Sequence, residues 1–199
     1  MKVGEKIGKL ICLMALFTFI SGCGTSASTV VNINRERYSP ALESSLKDLY
    51  KGKKVFLEWV VDSSKDADNF YYFSPDKNVA YEMAYKSDSW QQPLASFYWY
   101  AYQKALESLG MTVEEHNPSK DSPALTFTFL SLNSRELNLR VLLRTKGISP
   151  QVLTRDYTIT MTAIAGTDVK AMEAAAYEMI DKTVSTVLSD PEFQKVFLK

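Results

Sequence analysis

The chain has 199 residues, with 23 basic and 23 acidic side chains, one histidine and two cysteines. Balanced charge with no long single-sign run excludes a basic nucleic-acid surface and a polybasic lipid-binding patch. A lone histidine, His116, with its cysteines confined to the first 23 residues, excludes a His/Cys zinc site.

The N-terminus carries Lys2, Lys6 and Lys9, then an uncharged, mostly apolar run of eleven residues from Leu10 to Ile20. A bilayer core of about 30 Å takes ~20 helical residues, so this run is too short to span one and has the length of a signal-peptide apolar region. It ends in Ile20-Ser21-Gly22-Cys23, which resembles a bacterial lipobox. Residues 1–22 are therefore expected as a lipoprotein signal and Cys23 as the lipidated cysteine, acylated and, by analogy, palmitoylated. Removing three lysines and one glutamate with the signal leaves 20 basic and 22 acidic side chains, a net charge of −2. Cys12 leaves with the signal and Cys23 becomes a thioether, so the mature chain has neither a thiol nucleophile nor a disulfide. Gly24 follows the cysteine; enterobacterial sorting retains lipoproteins with Asp there in the inner membrane, so the outer membrane, periplasmic side, is expected.

Residues 23–39 are polar and aperiodic and predict a lipidated tether, with a single domain over 40–199. Leu42, Leu46 and Leu49 predict a short helix from Pro40 to Gly52, with Ser39 as cap. Val55 to Asp62 reads as one strand with Val55, Leu57, Trp59 and Val61 sharing one face. Asn69 to Lys86 reads as two strands around the turn Ser74-Pro75-Asp76-Lys77, the second with Val79, Tyr81, Met83 and Tyr85 alternating inward.

Ser96 to Tyr102 holds five aromatic rings in seven residues. Rings favour strands, but Pro93 and Gly110 frame a helix. At 100° per residue, Phe97, Tyr98 and Tyr102 share the inner face with Leu94, Ala101, Ala105, Ser108 and Leu109. Trp99 falls at the margin, and Tyr100 on the polar side with Ser96, Gln103, Lys104 and Glu107. Three strands follow, over 122–132, 135–147 and 151–166, and short turns predict an antiparallel meander. In the middle one, Leu137, Leu139, Val141 and Leu143 oppose Glu136, Asn138, Arg140 and Arg144. A last amphipathic helix starts at Asp168, a good cap, with Val169, Met172, Ala176, Met179, Thr183 and Val187 inward. The tail from Pro191 is short and helical in character. The fold class expected is α+β: an antiparallel sheet covered on one face by two long helices.

No catalytic constellation emerges. His116 lies in a loop without a nucleophile motif. Asp62, Asp66 and Asp68 lack the central glycine and distal glutamate of a calcium loop. Glu114 and Glu115 are adjacent, without the facing geometry of a glycosidase pair. No glycine-rich phosphate loop is present. The reading is a non-enzymatic protein with no cofactor and no metal, whose candidate contact residues are Trp90, Trp99 and Tyr100.

The run from Asp88 to Gly110 (DSWQQPLASFYWYAYQKALESLG), followed by PALTFTFLSL from Pro123 and the Ala-rich helix AMEAAAYEMIDKTV, resembles the ABC-type transport auxiliary lipoproteins, the paraquat-inducible lipid-transport lipoprotein among them. The likeness runs from about Phe70 to Leu188: a strand, Trp90, Pro93-Leu94, a long helix, antiparallel strands and a closing helix. It differs in its aromatic central helix and in the extra helix before Lys53. The resemblance implies a periplasm-facing adaptor subunit, tethered to the membrane at Cys23, that docks an ABC/MCE-type lipid-transport machine. The alternatives are a lipid- or glycolipid-binding carrier and an outer-membrane assembly lipoprotein.

Overall fold

The computed structural model describes residues 27–65, 70–83, 93–116, 118–145, 150–162 and 168–199. Cys23 and Trp90 lie outside the described residues.

The fold is α+β. Its larger sheet contains β2 (Lys54–Leu57), β3 (Val61–Asp62), β6 (Thr112–Glu114), β7 (Ala124–Leu132), β8 (Glu136–Arg144) and β9 (Val152–Thr160), in the order β6-β2-β7-β8-β9, with β3 also on β7. The meander β7-β8-β9 is antiparallel, as its alternation predicts. The sheet as a whole is mixed, because β2 runs parallel to both β6 and β7. A second sheet, β1 (Thr29–Ile33), β5 (Val79–Met83) and β4 (Tyr71–Phe73), has the order β1-β5-β4, with β1 parallel to β5.

Among the described residues four helices complete the fold: α1 (Ser44–Tyr50), α2 (Pro93–Ser108), α3 (Val169–Ser189) and α4 (Pro191–Phe197). The long helices α2 and α3 lie on the inner face of the larger sheet. Tyr102 and Tyr98 of α2 meet Phe127 and Phe129 of β7 at ring separations of 4.6 and 4.8 Å. Leu137, Leu139, Val141 and Leu143 of β8 are fully buried under this layer. Asp168 caps α3 by accepting from the amides of Lys170 and Ala171, as its position predicts. Asp190 ends α3 and, accepting from the Glu192 amide ahead of Pro191, starts α4.

Several expectations are corrected. The tether does not extend to residue 39: Val31, Ile33 and Tyr38 are fully buried, and Ser28 is already bonded into the domain through Asn78. Apolar residues two apart on β1 fill the inner side of a strand whose partner is fifty residues away, so no local pattern announces it. Residues 34–41 then form a strap on α3. The Tyr177 hydroxyl accepts from the Asn34 amide at 2.9 Å, and the Tyr38 hydroxyl donates to Asp181 at 2.7 Å. The first helix is shorter than predicted. It starts after Glu43 rather than after Ser39, and it buries Leu46 and Tyr50 while Leu49 stays exposed.

The strand predicted over Val55–Asp62 is broken. Phe56 pairs with Ala124 but Val61 pairs with Thr128, so five steps on one strand match four on the other. That extra residue is a bulge. Beyond it the faces exchange: Val60 is buried, while Trp59 and Val61 are exposed. In β5 both Ala80 and Tyr81 are buried, so the strict alternation predicted there does not hold; Tyr85 is outside the described residues. Ser96 is buried, whereas Ser108 and Val169 are exposed, each against expectation. β6, in a stretch to which the sequence reading assigns no element, extends the sheet by one strand.

Candidate functional site

The bulge creates a place where large rings gather at the surface of the described structure. Leu57 points its carbonyl toward the β6 side of β2, but the β6 ladder ends one residue earlier, at the Glu114–Phe56 pair. A polar group left over at a sheet edge needs a partner. Trp99, one turn into α2 beyond Ala95, supplies it: its indole Nε1 donates to the Leu57 carbonyl at 3.2 Å. Trp99 is thereby fixed and only 5% exposed, a core ring rather than a marginal one.

Two further rings lean on it. Trp59, thrown outward by the bulge, meets Trp99 at 4.7 Å and 84°. Tyr100 meets Trp99 at 4.9 Å and 83°. Both arrangements are the edge-to-face geometry that the ring quadrupole favours. Trp59 is 40% exposed and Tyr100 38%, so the polar-side placement predicted for Tyr100 is correct. The Arg35 guanidinium, from the strap after β1, lies over the Tyr100 ring with its carbon 3.9 Å from the centroid, a cation–π contact.

Beside this group runs a cleft of about 470 Å³. Ile33 and Met83 contribute from β1 and β5, Phe56, Leu57, Glu58 and Trp59 from β2 and the bulge, Pro93, Ser96, Phe97, Trp99 and Tyr100 from α2, and Arg35, Glu115 and His116 from the connections. Its size falls inside the range of about 300–1,000 Å³ usual for small-molecule sites, and its lining is mainly apolar with a few charged groups. Of its acids, Glu58 is engaged by Arg144 and Thr126, and Glu115 accepts from the Gln103 amide at 2.7 Å. A second cleft, of about 270 Å³, is polar and opens between Ser28, Asp76, Asn78, Ser134 and Arg135.

Of the residues singled out from the sequence, the structure brings Trp99 and Tyr100 together at one cleft. Cys23 and Trp90 fall outside the described residues. Sequence reasoning missed Trp59, which it placed on one strand face with Val55 and Leu57, and Arg35, which it placed in the tether. Neither carries a local signal, since one depends on a bulge and the other on a strand pairing distant in sequence. His116, read as a loop residue, lies at the cleft rim. Among the described residues no group of three or more acids, histidines or cysteines could hold a metal ion, and no helix is long and apolar enough to cross a membrane.

No family model matches the chain, and no curated protein matches it. Two solved structures are similar at low identity. One, an uncharacterized protein, is 15% identical over 82% of this chain and 100% of its own, with a TM-score of 0.45. The other, protein XCC0632 from Xanthomonas campestris, assigned to DUF330, is 12% identical over 83% of this chain and 95% of its own, also with a TM-score of 0.45.

Proposed function

We propose that this chain is a lipoprotein of the bacterial envelope, anchored through Cys23 on the periplasmic side of the outer membrane. It acts as a non-enzymatic auxiliary subunit of an ABC-linked lipid-transport system. The observation that carries the reading is the cleft at Trp59, Trp99 and Tyr100. Its rings are held in fixed edge-to-face contact and its rim is polar, a combination typical of the anchoring centre of a binding surface. The lipobox-like Ile20-Ser21-Gly22-Cys23 supports the anchor, and the likeness over Phe70–Leu188 to transport auxiliary lipoproteins supports the partner class.

In cells, a photo-crosslinking amino acid at Trp59 or Tyr100 of the full chain should capture a permease, ATPase or MCE component. The same group at Thr154, on the uncovered face of the large sheet, should not. Equal capture of the same proteins from both faces overturns the reading. The anchor is checked separately by labelling with a palmitate analogue: Cys23→Ser should lose the label, and equal labelling sinks the lipoprotein assignment.

A further inference from the structure

We propose that the open edge of β9 pairs with the same strand of a second copy, joining the two larger sheets across a two-fold axis at Tyr157. The inference stands on the sheet and does not rest on the transport reading.

β9 closes the larger sheet, and among the described residues no strand pairs with its far side. Which backbone groups face that side follows from the register with β8. At one end of the ladder the Met161 amide donates to the Arg135 carbonyl at 2.7 Å. At the other end the Gln151 carbonyl accepts from the Thr145 amide at 2.9 Å. Along an antiparallel strand, residues that bond to a given neighbour alternate with residues that face away from it. Odd-numbered residues therefore bond to β8, and even-numbered ones face out. Val152, Thr154, Asp156, Thr158 and Thr160 turn their amides and carbonyls to the open edge, and their side chains are exposed.

Proteins guard such an edge with short strands, lysine, proline or a bulge. β9 has nine residues, none of them lysine or proline, and its pairing with β8 runs without a register shift. Its two charges are occupied within the chain. Arg155 lies 3.1 Å from Asp190, and Asp156 accepts from Arg140 at 2.7 and 2.8 Å. The rest is Val, Leu, Thr, Tyr and Ile, dominated by types that favour strands.

Pairing with itself fixes a register. A two-fold normal to the sheet keeps the outer faces of both copies on one side, so the axis passes through a residue. An axis at Arg155 sets Arg155 against Arg155, and one at Asp156 sets Asp156 against Asp156. Like charges directly opposite are unfavourable. An axis at Tyr157 avoids both. It sets Asp156 against Thr158 and Thr154 against Thr160, in both directions, and each of these pairs exchanges two backbone bonds. On the inner face it sets Leu153 against Met161. Axes further along the strand in either direction leave fewer bonded pairs. The strand is thus its own complement: hydroxyl meets hydroxyl, apolar meets apolar, and no like charges meet.

The test uses the full chain in membranes of the cells that express it. Thr154→Cys and Thr160→Cys chains are made singly and co-expressed, and disulfides are formed with copper–phenanthroline and oxygen, with the unsubstituted chain as blank. In this register the two positions face each other with Cα atoms about 5.5 Å apart, within disulfide reach. Each lies roughly 20 Å along the strand from its own counterpart. Disulfide dimer should appear when the two chains are mixed and with neither alone. Thr158→Asp, added to both chains, faces Asp156 of the second copy and should lower the yield roughly fivefold. Thr158→Arg should keep or raise it. Both variants lose the same Thr158–Asn138 hydrogen bond, so a difference between them comes from the opposite copy and not from the fold. No dimer from the mixture, or as much dimer from either chain alone, overturns the proposal. Equal effects of Thr158→Asp and Thr158→Arg overturn it too. So does a mixed disulfide with a different protein in place of the dimer, which gives the edge to another partner.

Discussion

Trp59 and Trp99 stand edge to face with centroids 4.7 Å apart, yet one is 40% exposed and the other 5%. The same contact thus has a structural partner and a presented partner, and the two rings separate in mutation. Trp99→Ala removes a buried ring and leaves the Leu57 carbonyl without its indole donor, so a loss of about 3–5 kcal/mol is expected. Trp59→Ala should cost about 1 kcal/mol, near the worth of an aromatic pair. A double-mutant cycle by urea unfolding checks both figures, with a coupling of about 0.5–1.5 kcal/mol expected between them.

Tyr100→Ala tests presentation without stability. The ring is 38% exposed and its main contacts are Trp99 and the Arg35 guanidinium. Unfolding free energy should change by about 1 kcal/mol or less, while crosslinking to the transport partner or complementation of transport is abolished. If both folding and transport survive intact, Tyr100 is an ordinary surface ring.

Asp190 should govern the acid limb of stability. Burial pushes its carboxyl up, but the Tyr157 hydroxyl, the Glu192 amide and Arg155 outweigh that and hold it below the ordinary carboxylate range. A lowered folded-state value favours folding above the unfolded value of about 3.9, and that contribution is lost as pH falls through the folded value. Asp190→Asn should lower the melting temperature at neutral pH. The difference from wild type should shrink as the pH is taken below about 3. Thermal melts across that range are the check.

Asp181 should behave in the opposite sense. Burial is the largest influence on it and raises its carboxyl despite the hydrogen bonds from Tyr38 and the Ala41 amide. Between the unfolded value of about 3.9 and the raised folded value the native state holds the proton more tightly, so stability falls as pH rises through that window. Asp181→Asn should flatten this slope in urea titrations at mildly acidic pH. An unchanged slope rejects the assignment.

Gly110 is the positive-φ stop of α2, at +79°, and its amide neighbours include Gly52, whose N–H donates to the Gly110 carbonyl at 2.8 Å. A Cβ at residue 110 would also lie 3.2 Å from Lys51 Cγ. Gly110→Ala should therefore cost about 1–2 kcal/mol, with Gly110→Asn milder because Asn tolerates this conformation better. Melting temperatures of the two variants give the comparison.

Much of this architecture could be read from local rules. Pro93 and Gly110 bracket α2, Asp168 caps α3, and the alternation of Leu137 to Leu143 marks a strand with one buried face. These are signals carried within ten or twenty residues. What could not be read depends on distant partners. Val31 and Ile33 are core only because β1 pairs with β5, and nothing in the polar sequence around them says so. Trp59 faces outward because of a one-residue bulge set by where β7 can meet β2 and β3. The cleft inherits both surprises: Tyr100 was legible from helical periodicity, which left Trp99 at the margin, whereas Trp59 and Arg35 reach it through the bulge and the strand pairing.

The N-terminal strand has a mechanical consequence. β1 is parallel to β5 through five register pairs, and the strap after it is fastened to α3 by Asn34–Tyr177 and Tyr38–Asp181. A pull on the chain ahead of Ser28 acts along the axis of β1 and loads its ladder in shear, so the bonds bear the load together instead of parting one by one. Past the ladder, the same force meets the strap and then the longest helix of the domain. The point at which a membrane tether would tug is thus the point at which the fold best resists being drawn out.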